Sequence, residues 1–409
     1  MAKSIAVIGS GPSGLMVADQ LLTMGYTVSV FDRRGAIGRK LFIAGSSGLN
    51  ITNSASPGDF AAAYGGQDRE FWQTILGKFS PKDWINFLET NLEETSFLGT
   101  SGRYFIKSMT AVKLVRKWRR RLQDMGCHFF MGHELVQMNL GSALPSKTSG
   151  IQLTFRNLKV QSFDGVILAL GGGAWETEYP IQWPLLFYPH QIPIRDFEPH
   201  NAGWEVDLPP EFFKESEGLP LKNIQFSSDR GSKKGDIVIT AYGLEGTPIY
   251  LLGALQICFL DLKPDLSTSE VLEKLSRIKE NLSPIRRAKK ALNLTKASES
   301  LLFHTLKSES VRTHEELAHF IKNLPIRFTK PRPLKESISS TGGLSFYYLN
   351  ENFMVKELPG LFVTGEMLDW DAPTGGYLIQ GCVSLAVAAA TGMDSYFVNL
   401  PSGRTKVEI

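Results

Sequence analysis

The sequence predicts an α/β fold, a parallel sheet interrupted first by an inserted antiparallel β region and then by a helical region. Three observations predict it. The chain opens on a strand–helix–strand pattern, "SIAVIG", "SGLMVADQLLTMGY" and "TVSVFD", which is how a parallel sheet begins. Beyond residue 185 the texture changes to short Pro- and Phe-rich β runs, and then to a long helical stretch. Close to the end, a Gly-bounded strand ("LPGLFVTGE") and an apolar helix ("GGYLIQGCVSLAVAAATGMDSYF") resemble the opening unit, and are best placed back in the opening sheet.

Bulk properties bound the alternatives. At 409 residues the chain exceeds one ordinary hydrophobic core, so several domains are expected. A hydrophobic fraction of 43% and a charged fraction of 21% are those of a globular protein. The net charge of +3 is too small to argue for nucleic acid or an anionic membrane as a partner. The dense basic run "VRKWRRRL", from Val115 to Leu122, reads as the solvated face of a helix. Cys127, Cys258 and Cys382 are far apart, and no CxxC occurs. Reduced thiols and a cytoplasmic location are therefore expected, with no metal site and no redox-active disulfide. The opening strand starts by residue 4, which leaves no room for a signal peptide. The apolar run "IYLLGALQICFL" is shorter than a membrane span of about 20 residues, and it is expected to form buried strands.

The elements come in order. After the opening unit, "FWQTILGKFSPKDWINFLETN" has a helical period broken at Ser80-Pro81, where Ser can cap a second helix with Pro at its first position. "TAVKLVRKWRRRLQDMG" is an amphipathic helix ended by Gly126. "HFFMGHELVQMNL" and "IQLTFR" read as short alternating strands. "DGVILALGGG" reads as a central parallel strand closing on glycines at a ligand. The expected divisions are a first α/β-domain segment over 1–185, an inserted β domain over 186–265 (a small barrel or sandwich), and a helical domain over 266–325. A linker and return strand over 326–338, with "PIRFTKPRP" extended, leads to the second segment of the α/β domain over 339–409. Acids beside Thr268 and Thr313 suit the first turns of two helices in the helical part.

The first chemistry-bearing motif is Gly9-Ser10-Gly11-Pro12-Ser13-Gly14. As G-x-G-x-x-G it is weak alone, but here it follows a strand, opens a helix, and is followed by Asp32 at the end of the next strand. That is the Rossmann-like dinucleotide context. Glycines allow a tight turn, backbone N–H groups meet a pyrophosphate at the helix N-terminus, and Asp32 accepts from ribose hydroxyls. Arg33 and Arg34 are placed to pair with a 2′-phosphate, which keeps NADP open. The next segment, "GRKLFIAGSSGLNITNS", is rich in small groups and backbone donors. It suits close approach to a flavin ring or ribityl chain, or else a solvated loop.

These residues carry a resemblance. The chain resembles the HI0933-like flavoprotein family, also called the aminoacetone oxidase family of FAD-binding enzymes, over nearly its whole length. The carriers are "VIGSGPSGLMVA", "GRKLFIAGSSGLNITN", "GRYFIKSMTAVKLV", "LALGGGAW", "GDIVITAYGLEGTPIY", "KESISSTGGLSF" and "TGEMLDWDAPTGGYLIQGC". The resemblance implies a Rossmann-like FAD domain interrupted by a barrel-like and a helical region. It implies FAD contacts at Gly9, Ser10, Gly11, Pro12, Ser13 and Gly14 for the pyrophosphate, at Asp32 with Arg33 for the ribose end, and at Arg39 and Lys40 near the phosphates. Ser46, Ser47 and Asn50 would line the ribityl–flavin side, and Leu135 would meet the adenine. Gly171 and Gly172 would lie at the strand end, with Gly365, Glu366 and Asp369 by the diphosphate–ribitol region. Gly375, Gly376, Tyr377 and Leu378 would lie at the flavin ring. Where many relatives carry a Gly-Gly-Gly-Arg-Cys-Asn-type segment, this chain reads Gly45-Ser46-Ser47-Gly48-Leu49-Asn50. No role of that Arg or Cys carries over, nor does a substrate.

The chemistry implied is that of an FAD-dependent oxidoreductase acting on a small organic molecule, an amine, an amino ketone or an enone-type compound. Bound FAD is expected to be non-covalent. No second G-x-G-x-x-G follows a strand, so NAD(P)H is expected at most as a transient donor, with the substrate itself as the other electron source and oxygen a candidate acceptor. A helix starting at Gly376-Tyr377 would direct N–H dipoles at the flavin and favour its reduced, anionic form. Arg103, Tyr104, Lys107 and Thr341-Gly342-Gly343 are candidates to face the flavin. Each has an ordinary structural reading as surface cation, core or turn, as do His190, His200, Trp370 and Cys382. The sequence names no general acid or base. Two other readings stay open, an NAD(P)H-dependent flavin reductase-type enzyme and a flavin-binding protein with an RNA- or protein-linked role. Neither a nucleic acid nor a membrane is expected as partner.

Overall fold

A computed structural model describes residues 2–45, 48–99, 101–140, 150–157, 159–176, 181–278, 282–306 and 311–400. The chain forms two compact units, Met1–Glu198 with Ser340–Ile409, and Pro199–Ser339. The first unit begins with β1 (Ser4–Ile8), α1 (Pro12–Thr23), β2 (Thr27–Asp32), α2 (Arg39–Ala44) and β3 (Asn50–Asn53). Three helices come next, α3 (Pro57–Ala62), α4 (Arg69–Lys78) and α5 (Pro81–Asn91). Then come β4 (Ser96–Leu98), β5 (Arg103–Ile106), α6 (Ala111–Asp124), β6 (His128–Met131), β7 (Leu135–Asn139), β8 (Ile151–Phe155), β9 (Val160–Phe163) and β10 (Gly165–Leu168). After β11 (Ile194–His200), the second unit contains β12 (Trp204–Val206), α7 (Pro210–Ser216), β13 (Pro220–Ser228), β14 (Gly231–Ile239), β15 (Gly243–Glu245), α8 (Thr247–Leu252) and β16 (Ile257–Asp261). Four helices, α9 (Thr268–Ser276), α10 (Pro284–Leu292), α11 (Lys296–Leu306) and α12 (His314–Lys322), precede β17 (Leu324–Pro331). The chain returns through β18 (Ser339–Leu344) to β19 (Leu361–Val363) and α13 (Tyr377–Asn399).

In the first unit five strands form a parallel sheet in the order β19-β10-β1-β2-β6. The late strand β19 lies next to β10, so the end of the chain completes the sheet begun at Ser4. β1 sits in the middle, and its side chains alternate between two cores. Ile5 and Val7 enter one, Ala6 and Ile8 the other, and all four are buried. Burial on both faces is why the opening strand reads as a continuous apolar run. The stretch "HFFMGHELVQMNL", expected as short alternating strands, forms two. It divides at Gly132, with β6 joining the parallel sheet and β7 joining a separate antiparallel sheet β7-β8-β9. The turn is pinned to the end of β2, because Gly132 N–H donates to Arg34 O (3.0 Å) and His133 N–H to Asp32 O (2.8 Å).

α13 is the one described helix whose length and composition would suffice to cross a membrane, and most of it is buried in the core. Its Gly and Ala residues explain this. They let α13 pack closely on α1 and on the aromatic residues Tyr64 and Trp370, which stand beside Gly381.

The turn between α5 and β4 depends on a buried acid. Glu94 is 3% exposed, accepts the Ser108 N–H (3.0 Å) and pairs with Lys117 Nζ (2.9 Å). Burial alone would raise this carboxyl, but Lys117 and Ser108 outweigh burial and hold it below its ordinary value. The folded pKa is thus lower than the unfolded one. The stabilisation is complete above the unfolded carboxyl's pKa of about 4.3 and is lost as pH falls through the folded value. Glu94→Gln should cost about 1–2 kcal/mol at pH 7. It should also flatten the loss of stability below about pH 4, read from thermal melts across pH. Equal acid slopes in the two proteins would remove Glu94 as the cause.

The second unit is a closed barrel in the order β12-β15-β14-β13-β16-β17. Its interior side chains, among them Phe226, Ile237, Leu260 and Phe328, share one core with Leu275, Leu301 and Leu317 of the helices. The expected β and helical inserts are therefore one packed body. Two expectations are corrected. "PIRFTKPRP" is not a linker, because most of it is barrel strand β17, paired with β16 and β12. Ile326 and Phe328 alternate inward, and Pro325 and Pro331 sit near the strand ends, where a missing N–H is tolerated. "IYLLGALQICFL" is not two strands, since its first half completes helix α8 behind Pro248 at the helix start. The acids expected beside Thr268 and Thr313 do lie in first helical turns, Glu270 in α9 and Glu315 with Glu316 in α12. Ser267 with Glu270 and Thr313 with Glu316 form capping boxes.

Candidate functional site

The site is built in the first unit where β1, β2, β10 and β19 end. Gly9 follows β1, and its N–H donates to Phe31 O (2.7 Å). Gly11 caps α1 and Pro12 occupies its first turn. Two close approaches fix this turn. A Cβ on Gly14 would stand 1.9 Å from Gly9 O, and a Cβ on Gly9 would stand 2.1 Å from Ala169 O of the β10 end. Gly11 differs, because a Cβ there would meet nothing within 4 Å. The helix N-terminus therefore opens onto free space, with its unbonded first-turn N–H groups directed there.

Asp32 ends β2. Its Oδ2 accepts both the N–H (2.9 Å) and the hydroxyl (2.5 Å) of Ser10, and its Oδ1 accepts the Arg34 N–H (2.9 Å). Each carboxylate oxygen has two acceptor positions, so one position remains, on Oδ1. That position is left for a ribose hydroxyl. Arg33 and Arg34 both reach Glu176 Oε2 at 2.5 Å. Arg39 Nη1 donates to Trp175 O (3.1 Å), while Lys40 Nζ donates to Gly172 O (2.9 Å) and stands 3.6 Å from Glu366. Leu135 opens β7 opposite Phe155, two residues beyond the His133 bond to Asp32, and its side chain is buried. Gly171 accepts from Trp183 Nε1 (3.1 Å), and Gly172 leaves room for Ser340 Oγ.

The late segment meets the early one here. Ser13 Oγ donates to Cys382 O (3.1 Å), and Gly365 lies against Ser13, where a Cβ would stand 2.5 Å from Ser13 Oγ. Gly375 O accepts from Asn53 Nδ2 (3.2 Å), and Tyr377 O accepts the Tyr64 hydroxyl (2.7 Å). Gly376 caps α13 at φ 96°, and a Cβ on it would stand 2.5 Å from the Thr52 backbone. Only glycine suits that backbone and that approach. The Arg103 guanidinium lies at Gly375, where a Cβ would be 3.2 Å from its Nε. Burial first, then the Asp59 carboxylate, raises the Tyr377 phenol against the opposing effect of Arg103, so it remains neutral. Leu378 is half-buried in the first turn of α13.

Some residues have duties within the protein. Asp369 Oδ1 accepts the Gly342 N–H (3.1 Å), and Arg195 Nη1 approaches both carboxylate oxygens at 3.4 Å. Trp370 packs with Tyr64 and Trp72 and donates to Gly365 O (2.9 Å). Cys382 is buried, which pushes its thiol up to about 12. Tyr104 is half-buried beside the α5–α6 core, and Lys107 is exposed. Ser46 and Ser47 lie outside the described residues. Among the described residues no group of three or more His, Cys, Asp or Glu is placed to hold a metal. Sequence reading missed Glu176, Asn53, Thr52 and Tyr64. Each acts with a partner more than 100 residues away, Thr52 through its backbone, which Gly376 meets.

The residues fit a flavin dinucleotide. Besides the open space at Gly11, three of the twelve buried side-chain N and O atoms that lack a hydrogen-bond partner among the described residues lie here, Asn50 Oδ1, Thr52 Oγ1 and Thr364 Oγ1. They belong to β3, which packs on Gly376, and to the residue before Gly365, so unsatisfied polar atoms flank the path from the α1 N-terminus to the α13 N-terminus. Buried polar atoms of this kind call for a partner, which a water, an ion or a ligand can supply.

The family described as the HI0933-like protein Rossmann domain matches residues 3–392. The 3-dehydro-bile acid delta(4,6)-reductase of Clostridium scindens is 22% identical over 420 residues, covering 92% of this chain and 95% of the reductase. The ribosomal RNA dihydrouridine synthase of Haemophilus influenzae is 35% identical over 83 residues, 20% of each protein. Among solved structures, the apo form of Mycobacterium smegmatis Sdh1 aligns with a TM-score of 0.52 at 13% identity, covering 98% of this chain and 69% of that one. At that identity the structural likeness shows the fold alone. With the motif, the cradle and a family match over nearly the whole chain in agreement, this protein belongs to the HI0933-like family of FAD-dependent oxidoreductases.

Proposed function

We propose that this enzyme reduces a carbon–carbon double bond conjugated to a carbonyl in a small organic molecule, with electrons delivered by NAD(P)H through non-covalently bound FAD. One observation carries the reading, the end-to-end likeness to a reductase whose name specifies double bonds beside a 3-keto group. The second relative's product name points to the same chemistry. Dihydrouridine is uridine whose C5–C6 double bond, conjugated to the C4 carbonyl, has been reduced. Bound flavin supplies hydride to such a bond. The chain's own residues set the electrostatics. The α13 N-terminus, free of acids in its first turn, and the nearby Arg103 favour negative charge at that end of the site. Asn53 fixes Gly375, and Tyr64 fixes the first turn of α13.

A uracil base in RNA is the second reading, favoured by the 83-residue match to the synthase. The net charge of +3 gives it little electrostatic support. The test is anaerobic. Flavin bleached by NADH or NADPH is mixed with a 3-oxo-4-ene steroid, cyclohexenone or a uridine-rich RNA, and reoxidation is timed. Recovery of the oxidised spectrum with an enone, and a product two mass units heavier, is expected. Recovery with RNA alone would move the assignment to the second reading. Bleaching by aminoacetone or amines without NAD(P)H, and no recovery with enones, would sink the proposal.

A further inference from the structure

We infer that Glu176 is a specificity-determining residue that makes the adenosine end of the dinucleotide site refuse a 2′-phosphate. The inference rests on the dinucleotide reading of this crevice and adds a residue that reading does not use. Arg33 and Arg34, directly after the ribose-binding position Asp32, are a natural pair for a phosphate dianion. Both are instead committed to one carboxylate oxygen, Glu176 Oε2, at 2.5 Å each. The three side chains are only 22%, 11% and 11% exposed, so water screens the pair weakly.

Glu176 is held in place by its loop. Gly173 N–H donates to Ser340 Oγ (2.8 Å), Lys40 Nζ to Gly172 O (2.9 Å), and Arg39 Nη1 to Trp175 O (3.1 Å). Trp175 adopts φ 59°, a left-handed conformation that a bulky residue keeps only when its surroundings enforce it. A 2′-phosphate would have to displace a fixed carboxylate and then face Asp32 beside it. A ribose hydroxyl needs only the remaining acceptor position on Asp32 Oδ1. The arrangement therefore selects ligands with a free 2′-hydroxyl, FAD or an NADH-like nucleotide, over their 2′-phosphorylated counterparts.

The test uses the full-length chain after removal of flavin by dialysis, with circular dichroism as the check on folding. Quenching of FAD fluorescence reports cofactor binding, and competition reports the affinities of 5′-ADP and 2′,5′-ADP. The wild type is expected to prefer 5′-ADP at least tenfold. Glu176→Gln should reduce that preference at least tenfold while changing FAD affinity less than threefold. Adding Arg33→Ala and Arg34→Ala to Glu176→Gln should abolish the gained 2′,5′-ADP binding, which a merely loosened loop would not explain. A wild type that binds 2′,5′-ADP as tightly as 5′-ADP overturns the inference even if the variant does not fold. So does an unchanged ratio in a folded Glu176→Gln chain. Failure of every chain to quench FAD, with the nucleotide ratio then read by calorimetry, would instead overturn the flavin reading.

Discussion

A Gly11→Ala chain should fold normally and bind FAD at least tenfold more weakly, whereas Gly14→Ala should lose the first βα unit itself. Both substitutions add one methyl to the same G-x-G-x-x-G turn. At Gly11 the backbone is extended, with φ −73° and ψ −177°, and the new Cβ meets no protein atom within 4 Å. Alanine there limits the unfolded chain and should leave apoprotein stability unchanged, or raise it by about 0.4–1 kcal/mol. The methyl would occupy the space into which the α1 N-terminus opens, where a pyrophosphate must approach the backbone. At Gly14 the methyl would lie 1.9 Å from Gly9 O. Neither backbone can yield without pulling α1 from β1, which should cost about 3 kcal/mol or more. Thermal melts of the apoproteins and FAD titrations separate the two effects. Gly11→Ala binding FAD within threefold of the wild type would mean that the open space at α1 is not where the dinucleotide lies.

The second large effect concerns stability alone. Asp19 on α1 is 1% exposed, and Arg121 on α6 meets it with two hydrogen bonds, Nε to Oδ2 (2.7 Å) and Nη2 to Oδ1 (3.1 Å). Truncating Arg121 to alanine leaves a carboxylate buried without its partner, which typically costs about 3–5 kcal/mol. Replacing both residues by leucine should recover most of that loss, because a buried ion pair and a packed apolar pair are often nearly equivalent. Amide exchange in peptides from α1 and α6 should accelerate by about two to four powers of ten in Arg121→Ala. It should return close to the wild-type rate in the double variant. Unchanged exchange in Arg121→Ala would show that the pair contributes little.

This pair also changes the meaning of the basic run "VRKWRRRL". Sequence alone read it as a solvated helix face. Arg121 instead anchors α6 to α1, Arg119 lies over the Phe129 ring, and Lys117 holds Glu94, while Trp118 and Leu122 are buried. Charge on a helix can be counted from sequence, but the burial of its counter-ion on a distant helix cannot.

Local physics, readable in the sequence by itself, determined much of this protein. β1, α1 and β2, with Asp32 at the strand end, were legible because hydrophobic period, Gly spacing and an N-terminal Pro all act within a few residues. The return of β19 and α13 to the opening sheet was legible from texture, since a strand buried on both faces and a small-residue helix have distinctive compositions. The Ser80-Pro81 helix start and the first-turn acids of two helices were legible from near neighbours. Tertiary structure alone decided the rest. "PIRFTKPRP" became a barrel strand because a closed barrel needed a partner for β16 and β12, a demand set by residues more than 60 positions away in β16 and more than 120 away in β12 and invisible to local propensity. Arg33 and Arg34 looked ready for a 2′-phosphate, and only the fold brought Glu176 to them. Gly376 looked like a simple helix start, yet the Thr52 backbone beneath it is what requires glycine. The sequence specified which groups carry charge and which segments bury surface. The pairing of those groups depended on distances between residues far apart in the chain, and those distances exist only once the sheet and the barrel have closed.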